Sequence, residues 1–262
     1  MAMLAAVGDA FIDRYLAPVG LSLVGGNALN VAVHLARLGG EAAFFGAVGD
    51  DPAGERIRRT LEGEGVATRH LVTLEGASPS TDIGVDAAGE RTFLSEDYAV
   101  ATRYAPDTAA LEALRTARLV HIGWLADAPA LRAALAGAGA LVSQDTAVAP
   151  QDGDLDVAFA SAGPSREAAQ ALLNRLLSRN RLAVVTLGAL GAVASDGRET
   201  AQVGISPVDV VDTTGAGDCF AAAFLLARVR GAPLAECLAA GRDAAAVTCT
   251  HLGAFPQRPE PL

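Results

Sequence analysis

The sequence predicts an α/β fold, a doubly wound and mostly parallel sheet sandwiched by helices, and three observations carry that prediction. Short apolar runs alternate with helical stretches up to about residue 187. Such strands, apolar on both faces, are covered by helices on either side. At 262 residues, 51% of them hydrophobic, the chain is long enough for one large domain with a sizeable core.

Taken in order, "MLAAVGDAF" (3–11) is the first strand. It lacks a basic start and runs straight into a glycine, unlike a signal peptide. A helix over 27–38 follows the pair Gly25-Gly26, apolar almost all round. "AAFFGAVG" (42–49) is a strand and 53–63 a helix. The segment 79–98 differs, alternating polar and apolar residues about a turn at "DAAGE", which predicts a half-exposed hairpin. Periodicity leaves two readings open, a lid over the strand ends or a plain edge hairpin. Helices over 108–115, 128–136 and 164–178 then alternate with the strands "LVHIGWL", "ALVSQD", "LDVAFAS" and "RLAVVTLG". Beyond residue 187 come short strands broken by "ALGA" and "SDGRE", a strand at "VDVVD", and Ala-rich helices at about 216–229 and 234–249. "PQRPEPL" reads as a loose tail.

Composition narrows the chemistry. The net charge of −10, from 30 acids against 20 bases, disfavours nucleic acid as a partner. No apolar run approaches the roughly 20 residues of a membrane helix. Cys219, Cys237 and Cys249 lack paired spacing, which points to a reducing cytoplasm, and the four histidines form no metal-binding pattern. Every one of the 20 basic residues is Arg. Without lysine there is no Walker A lysine and no Schiff-base or pyridoxal chemistry. A phosphoryl group would have to be met by backbone amides, Arg and metal.

Those amides have an obvious source. In "DTTGAGDCFAAAF", Gly215, Ala216 and Gly217 precede a buried apolar helix, where free N–H groups and the helix dipole favour an anion. Asp218 is then either a base beside that anion or merely the helix cap. Asp9 and Asp13 in "VGDAFID" sit after the first strand, where α/β sheets bind ligands, and either hydrogen-bond a polyol or lie in a solvated turn. Asn27 suits the N-cap of its helix, whereas Asn30 needs a partner inside a nearly all-apolar one. His34 reads as a satisfied core histidine. Trp124 suits stacking on a ligand or core packing equally. "VTLGALGAV" suits a nucleotide lying across its glycines, or a hairpin.

Together these pieces resemble the ribokinase-like (PfkB) carbohydrate kinases. "GGNALNVAVHLARLG" is similar to the family's N-terminal signature and "DTTGAGDCFAAAF" to its C-terminal one, with "GAVGDDPAGERIRRTLEGEGV" and "VVTLGALGAV" between them in order. The resemblance spans about residues 4–255. It implies one ribokinase-like domain over 1–262 with a small β-sheet lid formed near 10–18 and 79–98. It also implies transfer of the γ-phosphate of ATP, with Mg²⁺, to a primary hydroxyl of a sugar derivative. By that resemblance Asp218 is the base, and the amides of Gly215, Ala216 and Gly217 stabilise the phosphoryl charge. Asp9, Asp13, Gly26, Asn27 and Asn30 hold the acceptor; Arg91, from its place on the expected lid, either joins them or is a solvated edge residue. Thr186, Gly188, Gly191 and Ala245 line the nucleotide, and Asp212 and Thr214 match positions that bind a monovalent cation such as K⁺. "SAGPSRE" departs from the family's Asn-x-x-Glu element, with Ser161 in place of Asn and only Glu167 nearby, leaving magnesium to the phosphates and water. "GDAFIDRY", "GGNALNVAV" and "DVAFASA" are most similar to the fructoselysine 6-kinases, which makes a fructosamine the expected acceptor and a lid-to-lid homodimer an expected assembly. Two alternatives stay open: a kinase of another acceptor (ketohexose, 2-keto-3-deoxy sugar acid or nucleoside), and a non-catalytic sensor on the same fold.

Overall fold

The computed structural model describes residues 3–85, 91–148 and 153–262, with the Arg91 side chain also outside the described residues. Nine strands form the main sheet in the order β13-β12-β11-β10-β9-β8-β1-β4-β5. They are β1 (Leu4–Val7), β4 (Ala42–Gly49), β5 (Ala67–Leu74), β8 (Leu119–Ile122), β9 (Leu141–Asp145), β10 (Val157–Ser161), β11 (Ala183–Thr186), β12 (Ala192–Ser195) and β13 (Thr200–Val203). All pair in parallel except the antiparallel edge β11-β12-β13. Helices α1 (Asn27–Arg37), α2 (Pro52–Gly63), α6 (Ala216–Val229) and α7 (Leu234–Thr248) cover one face. Helices α3 (Thr108–Thr116), α4 (Ala128–Leu135) and α5 (Arg166–Leu177) cover the other.

The period of two in a strand explains this sandwich. Leu4, Ala6 and Phe44 face the first set of helices, while Ala5, Val7 and Phe45 face the second, all buried. Helices α2 to α5 each open on a capping side chain: Asp51, Asp107, Asp127 and Ser165 accept from the amide three residues on. Each such cap stabilises its helix by about 1 kcal/mol.

The second sheet has the order β14-β3-β2-β6-β7, with β2 (Phe11–Tyr15), β3 (Leu21–Gly25), β6 (Ser80–Val85), β7 (Arg91–Asp97) and β14 (Glu260–Pro261). The expected hairpin is β6 and β7; its turn at "DAAGE" lies outside the described residues. Arg91 starts β7 opposite Val85. On the same edge strand Phe93 is 64% and Leu94 58% exposed.

Three expectations need correction. "MLAAVGDAF" is not one strand: it breaks at Gly8, so that β1 stays in the main sheet and β2 enters the lid. "VDVVD" forms no strand, because its valines find no sheet neighbour. Val210 and Val211 are 63% and 56% exposed, and the segment is tied by the amides of Val211 and Asp212 to the Cys249 carbonyl and by the Asp212 carboxylate to the amides of Thr214 and Gly253. "PQRPEPL" is no loose tail, since Gln257 clamps the backbone of Val24 with two hydrogen bonds of 2.8 Å and Glu260 pairs with Arg56. Strand β5, which the sequence pattern did not mark, is mostly exposed and closes the far edge of the main sheet.

Candidate active site

The two sheets meet over the carboxyl ends of β1, β8, β9 and β10, where an open α/β sheet takes its ligand. The first turn of α6 points there. Gly215 precedes the helix in the left-handed conformation (φ 73°), and a β-carbon on it would run into Ala254. Only glycine combines that turn with that approach. Gly217 is exposed, with open space where a side chain would be. The amide of Ala216 already donates to the Thr213 carbonyl at 3.2 Å, so the expected trio of free amides is met only in part.

Asp218 follows in the same turn, yet it does not cap the helix. Its Oδ1 accepts from Asn27 Nδ2 at 2.6 Å and its Oδ2 from Asn30 Nδ2 at 2.7 Å. Burial raises its pKa to about 8, helped by the nearby charges of Asp145 and Asp9 and opposed by the two Asn bonds. A half-buried carboxyl that is oriented by two amides and poised near neutral pH has the properties of a general base.

Asn27 differs from the expected N-cap. It is the first helical residue, preceded by Gly26, and its carboxamide nitrogen bridges Asp218 and Asp145 Oδ2 (3.1 Å). The capping is done from outside the helix by Asp9, which accepts from the amides of Asn27 (2.6 Å), Ala28 (3.3 Å) and Trp124 (2.9 Å). Asp9 thereby locks α1 to the loop after β8. Asn30 is 4% exposed and has the partner that the sequence demanded, while its own Oδ1, like that of Asn27, is buried without one. Asp13 is buried in β2, not in a solvated turn, and burial together with Asp9, Asp212 and Glu96 raises it to about 7.

Sequence reasoning gives no role to Asp145, in the atypical "LVSQDT", yet it closes this network from the end of β9. Its position at a strand terminus beside the site was the available signal. It also missed the aromatic wall. Tyr98 stacks on the half-buried Trp124 (3.9 Å between centroids) and meets Phe11 edge-on at 5.1 Å. His34 is the expected core histidine, with Nε2 2.9 Å from the Ala254 carbonyl and a pKa lowered to about 4 by burial.

Asp212 is fully buried and pins two loops, with Oδ1 accepting from the Thr214 amide (2.8 Å) and Oδ2 from the Gly253 amide (2.7 Å). Thr186 ends β11, Gly188 opens the turn after it, and Ala245 is half-buried on α7. Gly191 is tight for a different reason than nucleotide approach, because a β-carbon there would run into the Val203 carbonyl of β13. Beside these residues the loop 204–211 runs along α7, joined to it by Ser206 and Asp243 (2.8 Å), and exposes Ile205, Val210 and Val211 near the exposed Val247. Among the described residues, no three His, Cys, Asp or Glu side chains converge as metal ligands, and no helix is long and apolar enough to cross a membrane.

A sheet of this order, a β-sheet lid and a poised carboxyl at the N-terminus of a helix define a small-molecule phosphotransferase of ribokinase-like fold. The comparisons then fix the family: residues 1–146 and 130–261 match the pfkB family of carbohydrate kinases, to which the chain belongs. It is 31% identical over 266 residues to a fructoselysine 6-kinase of Shigella flexneri, covering 97% of this chain and 100% of that one. It is 32% identical to a fructokinase of Klebsiella pneumoniae, covering 97% and 95%. Among solved structures it is similar to an Arabidopsis thaliana ribokinase complexed with ribose and ATP, at a TM-score of 0.87 and 25% identity, covering 97% and 94%. The protein is a sugar kinase.

Proposed function

We propose that the protein phosphorylates the 6-hydroxyl of a fructosamine, fructoselysine being the first candidate, with Asp218 as the base. The observation that carries the chemistry is the carboxyl of Asp218, gripped by Asn27 and Asn30 in the first turn of α6. ATP, when bound, supplies the γ-phosphoryl group; the chain's own residues do the rest. Asp218 would take the hydroxyl proton as the sugar oxygen bonds to the γ-phosphorus, while the bond from that phosphorus to the β,γ-bridging oxygen breaks and ADP leaves with the electron pair. The open space beside Gly217 admits the phosphoryl group, and the dipole of α6 faces the developing negative charge. Asn27 and Asn30 hold the base and present unpaired carboxamide oxygens to sugar hydroxyls. The aromatic wall covers the apolar face of the ring.

The valines of 205–211 and Val247, with Thr186, Gly188 and Ala245, form an apolar shelf suited to a nucleobase. Mg²⁺ is part of this reading, held mainly by phosphates and water since the described side chains offer no metal cluster. K⁺ near Asp212 and Thr214 would have to share a carboxylate that already accepts two amides. Pairing of two copies through the exposed Phe93 and Leu94 belongs to the same proposal, and a monomeric mass in solution would remove it.

Support for the fructosamine comes from the similarity to fructoselysine 6-kinase and from a pocket whose charged neighbours are acidic. The fructokinase relative favours free fructose as the second reading. ATP consumption should be measured across fructoselysine, fructose, a keto sugar acid and adenosine. Fructoselysine should give the highest kcat/KM, and an equal or better value for any other would assign the acceptor elsewhere.

A further inference from the structure

The register of the lid sheet places Asp13 opposite Thr81, and Thr81 opposite Glu96. Cross-strand partners point to the same face. The row therefore starts at the buried Asp13 and Thr81 and ends at the exposed Glu96, whose carboxylate accepts a hydrogen bond from the Tyr98 hydroxyl. Two residues beyond Glu96, Tyr98 stacks on Trp124, so this carboxylate stands beside the aromatic wall. The charges of Glu96 and Asp9, with burial, push the Tyr98 hydroxyl up to about 12.

The opposite end of the pocket is marked by Asn30, 4% exposed, whose buried Oδ1 has no partner while its nitrogen holds Asp218. An unpaired buried acceptor there calls for a hydroxyl donor. The hydroxyl end of the acceptor thus belongs at Asn30 and Asp218, and whatever the sugar carries at its other end leaves along the row towards Glu96. The charged neighbours of Asp13 are Asp9, Asp212 and Glu96, and those of Asp218 are Asp145 and Asp9. No cation stands among these neighbours, so a positively charged substituent meets no like charge along the row and reaches the exposed carboxylate of Glu96.

We propose that Glu96 is the residue that selects fructosamines over free fructose, its carboxylate meeting the protonated amine that the sugar carries at the end remote from Asp218. This rests on the fructosamine reading above and adds the residue that enforces it. A charge-assisted contact at a solvated rim acts in binding more than in the chemical step, and its loss corresponds to about tenfold in affinity.

The test is the ratio of kcat/KM for fructoselysine to that for fructose, in the wild-type enzyme, Glu96→Gln and Glu96→Asp. Glu96→Gln should lower the ratio about tenfold, mainly through the KM for fructoselysine, and Glu96→Asp should restore part of it. A ratio that survives in Glu96→Gln, or a variant that loses both substrates in proportion, overturns the role of Glu96 and leaves the fructosamine reading intact. A wild-type enzyme that prefers free fructose overturns the fructosamine reading itself, and this role with it.

Discussion

Asp218, the base of the proposed mechanism, is held in place by two neutral amides, not by a cation. Burial raises its pKa more than the bonds from Asn27 and Asn30 lower it, and Asp145 and Asp9 add like charge. The base therefore titrates near working pH. For the free enzyme, kcat/KM for the acceptor should rise with pH along a limb near pH 8, as Asp218 loses its proton. Asp145→Asn keeps an oxygen for Asn27 and removes a negative neighbour, so the limb should move to lower pH. Asp218→Asn should fold, bind ATP and lose at least ~10²-fold in kcat. Normal turnover, or a limb indifferent to Asp145, would show that the proton goes elsewhere.

At the scale of the element, the N-terminus of α6 uses two glycines for different purposes. Gly215 has a positive φ and no room beside Ala254, whereas Gly217 has ordinary helical geometry and open space. Gly215→Ala should therefore cost stability, about 1–3 kcal/mol for the strained backbone and more for the clash. Gly217→Val should melt within a few degrees of the wild type while kcat/KM for ATP falls at least ~10-fold, because its bulk stands where the phosphate approaches. Thermal melts and ATP kinetics on both variants separate the roles. Unimpaired ATP use in Gly217→Val would take the phosphoryl group away from this turn.

The whole molecule bears a cost for its acidic pocket. Asp13 and Asp218, at about 7 and about 8 when folded, keep protons that the unfolded chain gives up near pH 4. A carboxyl raised by folding contributes stability that is present below its unfolded pKa and lost as pH rises through the folded one. His34 and His121, lowered to about 4 and about 3, act in the opposite sense: they favour the fold above pH ~6.5 and lose that contribution as pH falls. Above pH ~6.5 the histidines are neutral in both states, so the carboxyls govern the trend. The Tm of the ligand-free protein should fall by several degrees between pH 6.5 and 8.5, a change of 1 kcal/mol being about 2–4 °C at this size. Asp218→Asn should flatten that decline. A Tm constant over this range would mean that the pocket is already ionised at neutral pH.

The sequence by itself determined the layers and marked the residues to which the proposed chemistry is given. Apolar runs alternating with helices fix which faces are buried, and that is a local property of the chain. "DTTGAGDCF" carried its own turn chemistry, because a glycine pair before an apolar helix dictates a helix N-terminus whatever surrounds it. Only the tertiary structure decided who meets whom. Asn27 lies 191 residues before Asp218, so no spacing could show that its side chain would leave the capping role to Asp9 and grip the base. The lid was expected near 10–18 and 79–98, yet five strands from both ends of the chain build that sheet, down to Glu260 and Pro261 beside β3. "VDVVD" has the composition of a strand, but strand formation needs a paired strand, and among the described residues it pairs with none, its amides bonding the carbonyl of Cys249 just after α7 instead. Propensity and capping act over a few residues and can be read along the chain, whereas pairing, burial and the field at a carboxyl arise from residues that are distant until the chain is folded.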